Sequence, residues 1–322
     1  MKGGMSDITR LFFATDLHGS EKCFLKFLNA GKFYKSNILI MGGDITGKLM
    51  IPIVADGGSK YHATYLDSRH EAKNEQELKE LEAQIRMAGF YPYLTEPKEM
   101  EELQHDEKKV DALFKKLMLD NVKRWVDMAE QRLKGTGISV YITGGNDDLR
   151  EITPVLQSSS YVIDPEEMVV DLTPRHQMLS SGWSNPTPWK TPRECSEEEL
   201  AEKIEGMTVQ VRDFKSAVFN LHVPPVDSGL DSCPQLDDTL KPVIVGGEIH
   251  MISGGSVAVR KAIERHQPLL GLHGHMHESK GFVNIGRTFC LNPGSEYGEG
   301  ILRGAIVDLE EGRVKNYLLT QG

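Results

Sequence analysis

The run Leu270-Gly-Leu-His-Gly-His-Met-His-Glu278 places three imidazoles, those of His273, His275 and His277, within five positions. A neutral imidazole offers a lone pair to a metal at physiological pH, so this spacing points to metal binding. On an extended segment the three rings share one face, whereas in a tight loop they converge on a point. The alternative is an exposed histidine cluster without a role. Further oxygen and nitrogen donors stand elsewhere in the chain, at Asp16, His18, Asp44, Asn146, Asp147 and His222. A mixed set of this kind suits a pair of divalent ions such as manganese, iron, zinc or nickel. It is too rich in imidazole for magnesium or calcium.

Each of these donors follows a short apolar run. Leu11-Phe-Phe-Ala14 leads to Thr15-Asp16-Leu17-His18-Gly19, and Ile38-Leu-Ile-Met41 leads to Gly42-Gly43-Asp44. Ile138-Ser-Val-Tyr-Ile142 leads to Gly144-Gly145-Asn146-Asp147-Asp148, and Ala217-Val-Phe-Asn-Leu221 leads to His222. Runs this short, rich in β-formers and ended by glycine or polar residues, predict buried strands. Side chains at the carboxyl ends of strands in an α/β sheet converge on one crevice.

In this order, Asp16-x-His18, Gly43-Asp44, Gly145-Asn146-Asp147, His222 and Gly274-His275-x-His277 resemble the calcineurin-like metallophosphoesterase superfamily, as does Asn292-Pro-Gly-Ser295 shortly afterwards. The resemblance runs from about residue 8 to the C-terminus, with one insertion. It implies that Asp16, His18 and His277 hold one metal, that Asn146, His222 and His275 hold a second, and that Asp44 bridges them. It also implies two divalent ions, manganese foremost, about 3.5–4 Å apart, which activate a water for in-line attack on phosphorus. His273 matches no ligand of the family; it either orients a ligand through a ring hydrogen bond or is simply exposed.

One position departs from the family pattern. Most members carry histidine after the asparagine of the third motif, where it stabilises the transition state or protonates the leaving group; here Asp147 stands in its place. A carboxyl with an ordinary pKa near 4 is a poor acid at neutral pH. Asp147 is then an acid whose pKa its surroundings raise, or the partner of a cation that leaves acid catalysis to a group such as His176 or His62, or a sign that the substrates have good leaving groups. Loss of catalysis is the further alternative, set against seven ligand positions that are all filled.

At 322 residues the chain is long enough to bury a large core. A net charge of -10 argues against general attraction to nucleic acid or anionic membranes. No apolar stretch reaches the roughly 18 residues of a membrane span, and the N-terminus lacks the apolar core of a signal peptide. Cys23, Cys195, Cys233 and Cys290 are scattered without paired spacing, as expected of reduced thiols in a cytoplasmic protein. The sequence carries no signal for oligomeric state.

The segment between Asp44 and Asn146 is far longer than a simple crossover. Residues 49–95 predict an inserted cap within the single 1–322 domain. Its parts are a hairpin turning at Asp56-Gly-Gly-Ser59 and a helix over Glu71–Met87, placed near the rim of the site. One long helix from Glu96 or Pro97 to Lys134 then covers the sheet. Tyr61, His62 and Tyr65 of the hairpin either face substrate or pack within the hairpin.

Ser180–Trp189 is a stiff loop with two tryptophans, Trp183 and Trp189, which either stack on a substrate base or sugar or plug the edge of the fold. His62, His176 and Trp183 are the candidate substrate contacts. Pro224–Pro234 predicts a long functional loop. The glycines of Gly254-Gly-Ser256 either bind phosphate at a helix start or simply precede a cap. Phe282–Ile285, Thr288–Leu291, Gly304–Val307 and Val314–Leu318 predict strands closing the second sheet.

The resemblance implies a four-layer α/β-β/α sandwich of two mixed sheets. It also implies hydrolysis of a small phosphomonoester or phosphodiester, a nucleotide among them. The competing readings are a non-catalytic interaction scaffold on the same fold and a protein phosphatase.

Overall fold

A computed structural model describes residues 8–322. The first half of the chain runs β1 (Thr9–Ala14), α1 (Glu21–Phe33), β2 (Ile38–Gly42), β3 (Met50–Gly57), β4 (Lys60–Tyr65), β5 (Ser68–Ala72), α2 (Glu75–Met87), β6 (Tyr91–Thr95), α3 (Pro97–Gln104), α4 (Glu107–Leu133), β7 (Ser139–Thr143), α5 (Ile152–Gln157) and β8 (Val162–Ile163). The second half runs β9 (Met168–Asp171), β10 (Gln177–Ser181), α6 (Glu197–Thr208), β11 (Val218–Leu221), β12 (Ser232–Pro234), β13 (Ile244–Val245), β14 (Glu248–Ile249), β15 (Met251–Ser253), α7 (Val257–His266), β16 (Leu270–Leu272), β17 (Gly281–Ile285), β18 (Thr288–Asn292), β19 (Arg303–Glu310) and β20 (Arg313–Gln321).

Two six-stranded mixed sheets form the centre, in the orders β20-β19-β1-β2-β7-β8 and β17-β18-β16-β11-β10-β9. The period of two in β1 explains why they stack. Leu11 and Phe13 face the other sheet, against Val218, Leu270, Leu272 and Leu291. Phe12 and Ala14 face the opposite way, into a layer with Phe24, Trp125 and Val126 of α1 and α4. On the far side, α6 and α7 cover Phe219 and Leu221 of β11. Helix, sheet, sheet, helix is the four-layer order that the resemblance implies. In each sheet the inner strands run parallel, and the two sets of carboxyl ends lie side by side.

Three expectations about elements change. Gly304–Val307 and Val314–Leu318 belong to β19 and β20, which extend the first sheet beside β1 rather than close the second. The inserted segment holds more than a hairpin and a helix: β3, β4, β5 and β6 form a four-stranded sheet, with α2 packed through Leu78, Leu81 and Ile85 onto Ile53 and Ala63. The long crossover helix is two helices, with Asp106 capping α4 through the Lys109 amide. No helix among the described residues is long and apolar enough to cross a membrane.

The inter-sheet layer holds the site because it fixes where the strand ends point. Phe13 is wholly buried within it. Phe13→Ala should lower unfolding stability by about 3–5 kcal/mol, read from the denaturant midpoint; a change under about 1 kcal/mol would mean the layer repacks freely.

Candidate metal centre

The loops after β1, β2, β7, β11 and β16 bring the sequence-selected donors together. Asp16, His18 and His277 form one group, and Asp44, His222 and His275 a second, each with its donor atoms mutually within 4.8 Å. His277 Nε2 lies 3.4 Å from Asp16 Oδ1 and 3.1 Å from His18 Nε2. His222 Nε2 lies 3.4 Å from Asp44 Oδ2 and 3.8 Å from Asp16 Oδ1, which joins the two groups. Asn146 Oδ1 stands 2.7 Å from His275 Nδ1. All are buried except His275 and His277, which are half-buried.

The backbone is bent to present these groups. Asp16, His18, Asp44 and His275 all adopt positive φ, at 55°, 41°, 49° and 66°. Non-glycine residues hold this conformation only where their surroundings impose it. Here the loops latch to one another: the Asp16, His18 and Gly19 amides donate to the carbonyls of Gly43, Asp44 and Ile45, each at 2.9 Å. The His275 amide donates to the Asp16 carboxylate at 3.1 and 3.2 Å. Gly145 has to be glycine because a Cβ there would sit 2.2 Å from Asp44 Oδ1.

The donor chemistry fits divalent cations. His222 Nδ1 is 3.0 Å from the Gly42 carbonyl, while its Nε2 is buried with no hydrogen-bond partner among the described residues and aims at two carboxylates. With Nδ1 as the donor, loss of the proton from Nε2 leaves a lone pair there, the tautomer a metal takes. Burial pulls His18 down to about 3 and His275 to about 4, so both rings are neutral. Burial alone would raise Asp16, but the hydrogen bond from His277 and the charge of His222 outweigh it and hold the carboxyl at about 2. Asp44 is likewise held below the ordinary range, against its burial, by His222 and His18.

Asp147 lies at the edge of this cluster. Its amide donates to Asp44 Oδ1 at 2.9 Å, and its carboxylate sits 2.5 Å from Lys48 Nζ and 3.8 Å from His18 Nδ1. Burial and the negative charge of Asp44 push it up to about 6, against the pull of Lys48. It therefore has both features considered separately from sequence, a cation partner and a raised pKa. His176 and His62 are not near it. His176 precedes β10, at the end of that strand opposite the cluster, and is bound to Thr173 Oγ1 at 3.0 Å. His62 is in the inserted sheet, 2.7 Å from Asp56. Trp183 is buried between the Arg150 guanidinium and the Lys203 ammonium, at 4.5 and 4.3 Å from its ring. None of the three candidate substrate contacts lines the cavity beside the metal cluster.

That cavity has a volume of about 1420 Å³ and opens on His18, Asp44, Asn146, Asp147, His275 and His277. The inserted sheet, expected at its rim, contributes none of its walls; α4 does, through Phe114 and Met118. Trp189, rather than Trp183, is the tryptophan of the 180–189 loop that faces it. His273 is buried and is not one of the clustered donors: its Nδ1 is 2.8 Å from the Leu221 carbonyl of β11. The start of α7 already holds an anion, since Glu197 accepts from the Val257 and Ala258 amides and from Ser256 Oγ.

Sequence reasoning missed Lys48, four positions after Asp44, and Tyr297, whose ring centroid is 4.6 Å from that of His18. It also missed the work of Asp148. That buried carboxylate accepts from the Ile45, Thr46 and Gly145 amides and from Thr46 Oγ1, tying the Asp44 loop to the Asn146 loop. The adjacency Asn146-Asp147-Asp148 was the available signal.

No protein-family model matches the sequence. The uncharacterised protein MJ1162 of Methanocaldococcus jannaschii is 29% identical over 158 residues, 48% of this chain and 64% of that protein, less than two thirds of its length. The solved structure of TT1561 from Thermus thermophilus covers 98% of both chains at 11% identity, with a TM-score of 0.54; the likeness is one of fold. A dimetal phosphatase from Danio rerio aligns over 96% of this chain and 98% of its own at 10% identity and a TM-score of 0.42.

His222 gives this centre a pH signature. Burial opposes charge on its ring, but Asp44 and Asp16 outweigh burial and raise it from 6.5 to about 10. In metal-stripped protein this ring therefore carries a proton at neutral pH. Its contribution to stability is complete below about pH 6.5 and is lost as pH rises through about 10. A metal at Nε2 must displace that proton. Calorimetry of Mn²⁺ binding at about pH 7.5, in buffers of different ionisation enthalpy, should show release of about one proton for this site, with affinity falling as pH is lowered. Proton-neutral binding would remove His222 from the ligand set.

Proposed function

We propose that the chain hydrolyses a phosphomonoester or phosphodiester with two divalent cations, on the fold and the ordered donor set that its resemblance to the calcineurin-like metallophosphoesterases implies. The observation that carries this reading is the meeting of six histidine and aspartate donors from both sheets at one buried point, with His222 Nε2 left partnerless beside two carboxylates. Asp16, His18 and His277 would hold one cation; Asn146, His222 and His275 would hold the other; Asp44 would lie between. Bound there, such a pair supplies Lewis acidity toward phosphoryl oxygens and lowers the pKa of water.

The protein's own part is to fix the donors and to handle the leaving group. Its ionised Asp16 and Asp44 give the buried point the negative charge that two dications need. The neutral rings of His18 and His275 offer lone pairs without first losing a proton. Asp147 and Lys48 stand where the cluster meets the cavity and are the groups able to move a proton to a departing oxygen. With Asp147 held at about 6, a minority of molecules carry the acid form at neutral pH. Esters with good leaving groups then suffer least from the missing histidine.

Asp44→Asn should reduce manganese-stimulated hydrolysis of bis(p-nitrophenyl) phosphate by on the order of a hundredfold or more, with the circular dichroism spectrum retained; wild-type rates in that variant would sink the dinuclear reading. Asp147→His should raise kcat/KM on esters of poorly acidic alcohols by roughly tenfold or more and flatten the dependence of rate on leaving-group pKa. An unaltered dependence across the series would mean that protonation of the leaving group does not limit the rate.

A further inference from the structure

The large cavity beside the cluster has walls unlike those of a nucleotide or sugar-phosphate pocket. Three separate elements turn apolar side chains into it: Phe114 and Met118 from α4, Trp189 from the 180–189 loop, and Leu236, Leu240 and Ile252 from the arm that spans β12 to β15. That arm is a folded structure, with Cys233 paired to Ile252 and Ile244 paired to Ile249 across its two ladders. Trp189, Leu240 and Ile252 are 62%, 48% and 40% exposed. Apolar surface gathered on one concave face and left in water marks a binding surface.

Charge in the wall points the same way. The two lysines among the described wall residues are both engaged, Lys48 with Asp147 and Lys115 with Glu151. Asp111 and Glu278 add negative charge. A di- or triphosphate would therefore meet no spare cation outside the metal cluster. At about 1420 Å³ the cavity also exceeds the roughly 300–1,000 Å³ of small-molecule sites.

From these walls we infer that the substrate is a phosphate ester bearing a single phosphate and a bulky apolar group, a long alkyl chain or an extended ring system. The phosphate meets the cluster, and the apolar group lies along Phe114, Trp189, Leu240 and Ile252. Both orientations of a diester fit this statement, with the apolar group departing or retained. The inference rests on the phosphoesterase reading for its chemistry, and on the cavity alone for its specificity.

The test is a series of p-nitrophenyl alkyl phosphodiesters, ethyl to octyl, with a naphthyl member, assayed with manganese below their aggregation limits. The kcat/KM should rise at least about tenfold from ethyl to octyl, since each buried methylene contributes up to roughly fourfold. The naphthyl member tells a ring pocket from a chain pocket. Leu240→Asp and Trp189→Ala should each shrink the octyl-to-ethyl ratio. A ratio near one in the wild type, equal losses on both esters in both variants, or preferred turnover of ATP would overturn the inference.

Binding gives a readout free of turnover. Trp189 is exposed while Trp125 and Trp183 are buried, so octylphosphonate should shift tryptophan emission to the blue where methylphosphonate does not, and Trp189→Phe should abolish the shift. Equal responses to both phosphonates would overturn the apolar recognition. The octylphosphonate shift without turnover of any ester would uphold that recognition and overturn the phosphoesterase reading instead.

Discussion

The carboxylate of Asp44 is the point on which this structure depends. It is 3% exposed and ionised, and a buried charge without partners is penalised by several kcal/mol. Its partners come from every direction. The Asp147 amide reaches Oδ1 from the loop after β7, His18 approaches from the loop after β1, and His222 approaches from the second sheet. No single sheet could supply all three. Stacking two sheets through Leu11, Phe13, Leu270 and Leu272, with their parallel strands ending side by side, is what gathers them.

The same requirement bears on the backbone strain at the cluster. Four of its non-glycine residues sit at positive φ, each carrying about 1–3 kcal/mol. They persist because the loops are held as one unit. The Asp148 carboxylate takes up amides of both the Asp44 and Asn146 loops, and the amides after β1 run in step with the carbonyls after β2. A second buried link, Asn220 Nδ2 to Thr143 Oγ1 and to Ser180 Oγ, fixes the sheets to one another just below the cluster. Strain is thus borne at the clustered donors and balanced by the polar scaffold beneath them.

How much of this is legible in the sequence follows from range. The ligand-bearing strands are short apolar runs ended by a glycine or a polar cluster, a local pattern, so β1, β2, β7 and β11 can be read directly. Which sheet a strand joins is not local: β19 and β20 alternate like any edge hairpin, and only their register with β1 puts them in the first sheet. β5, Ser-Arg-His-Glu-Ala, is too polar to read as a strand and is one only because β4 pairs with it. Trp183 and Trp189 look alike in sequence. Their fates differ because Arg150 and Lys203, distant in the chain, close over the first while the second stays exposed.

The aspartate at position 147 becomes intelligible from where Lys48 stands. The Lys48 side chain is 55% exposed and that of Asp147 19%. A pair this open to solvent is worth about 1 kcal/mol or less, so its effect is on local charge rather than on stability. Closed, the pair carries no net charge along the seam between a strongly ionic cluster and an apolar cavity. A lone aspartate there would repel phosphate, and a lone lysine would draw polyanions toward walls that cannot hold them. Together they let charge end at the aspartate and histidine cluster and apolar surface begin one side chain further out. Asp147 is thus tied to Lys48, and neither residue can be interpreted without the other.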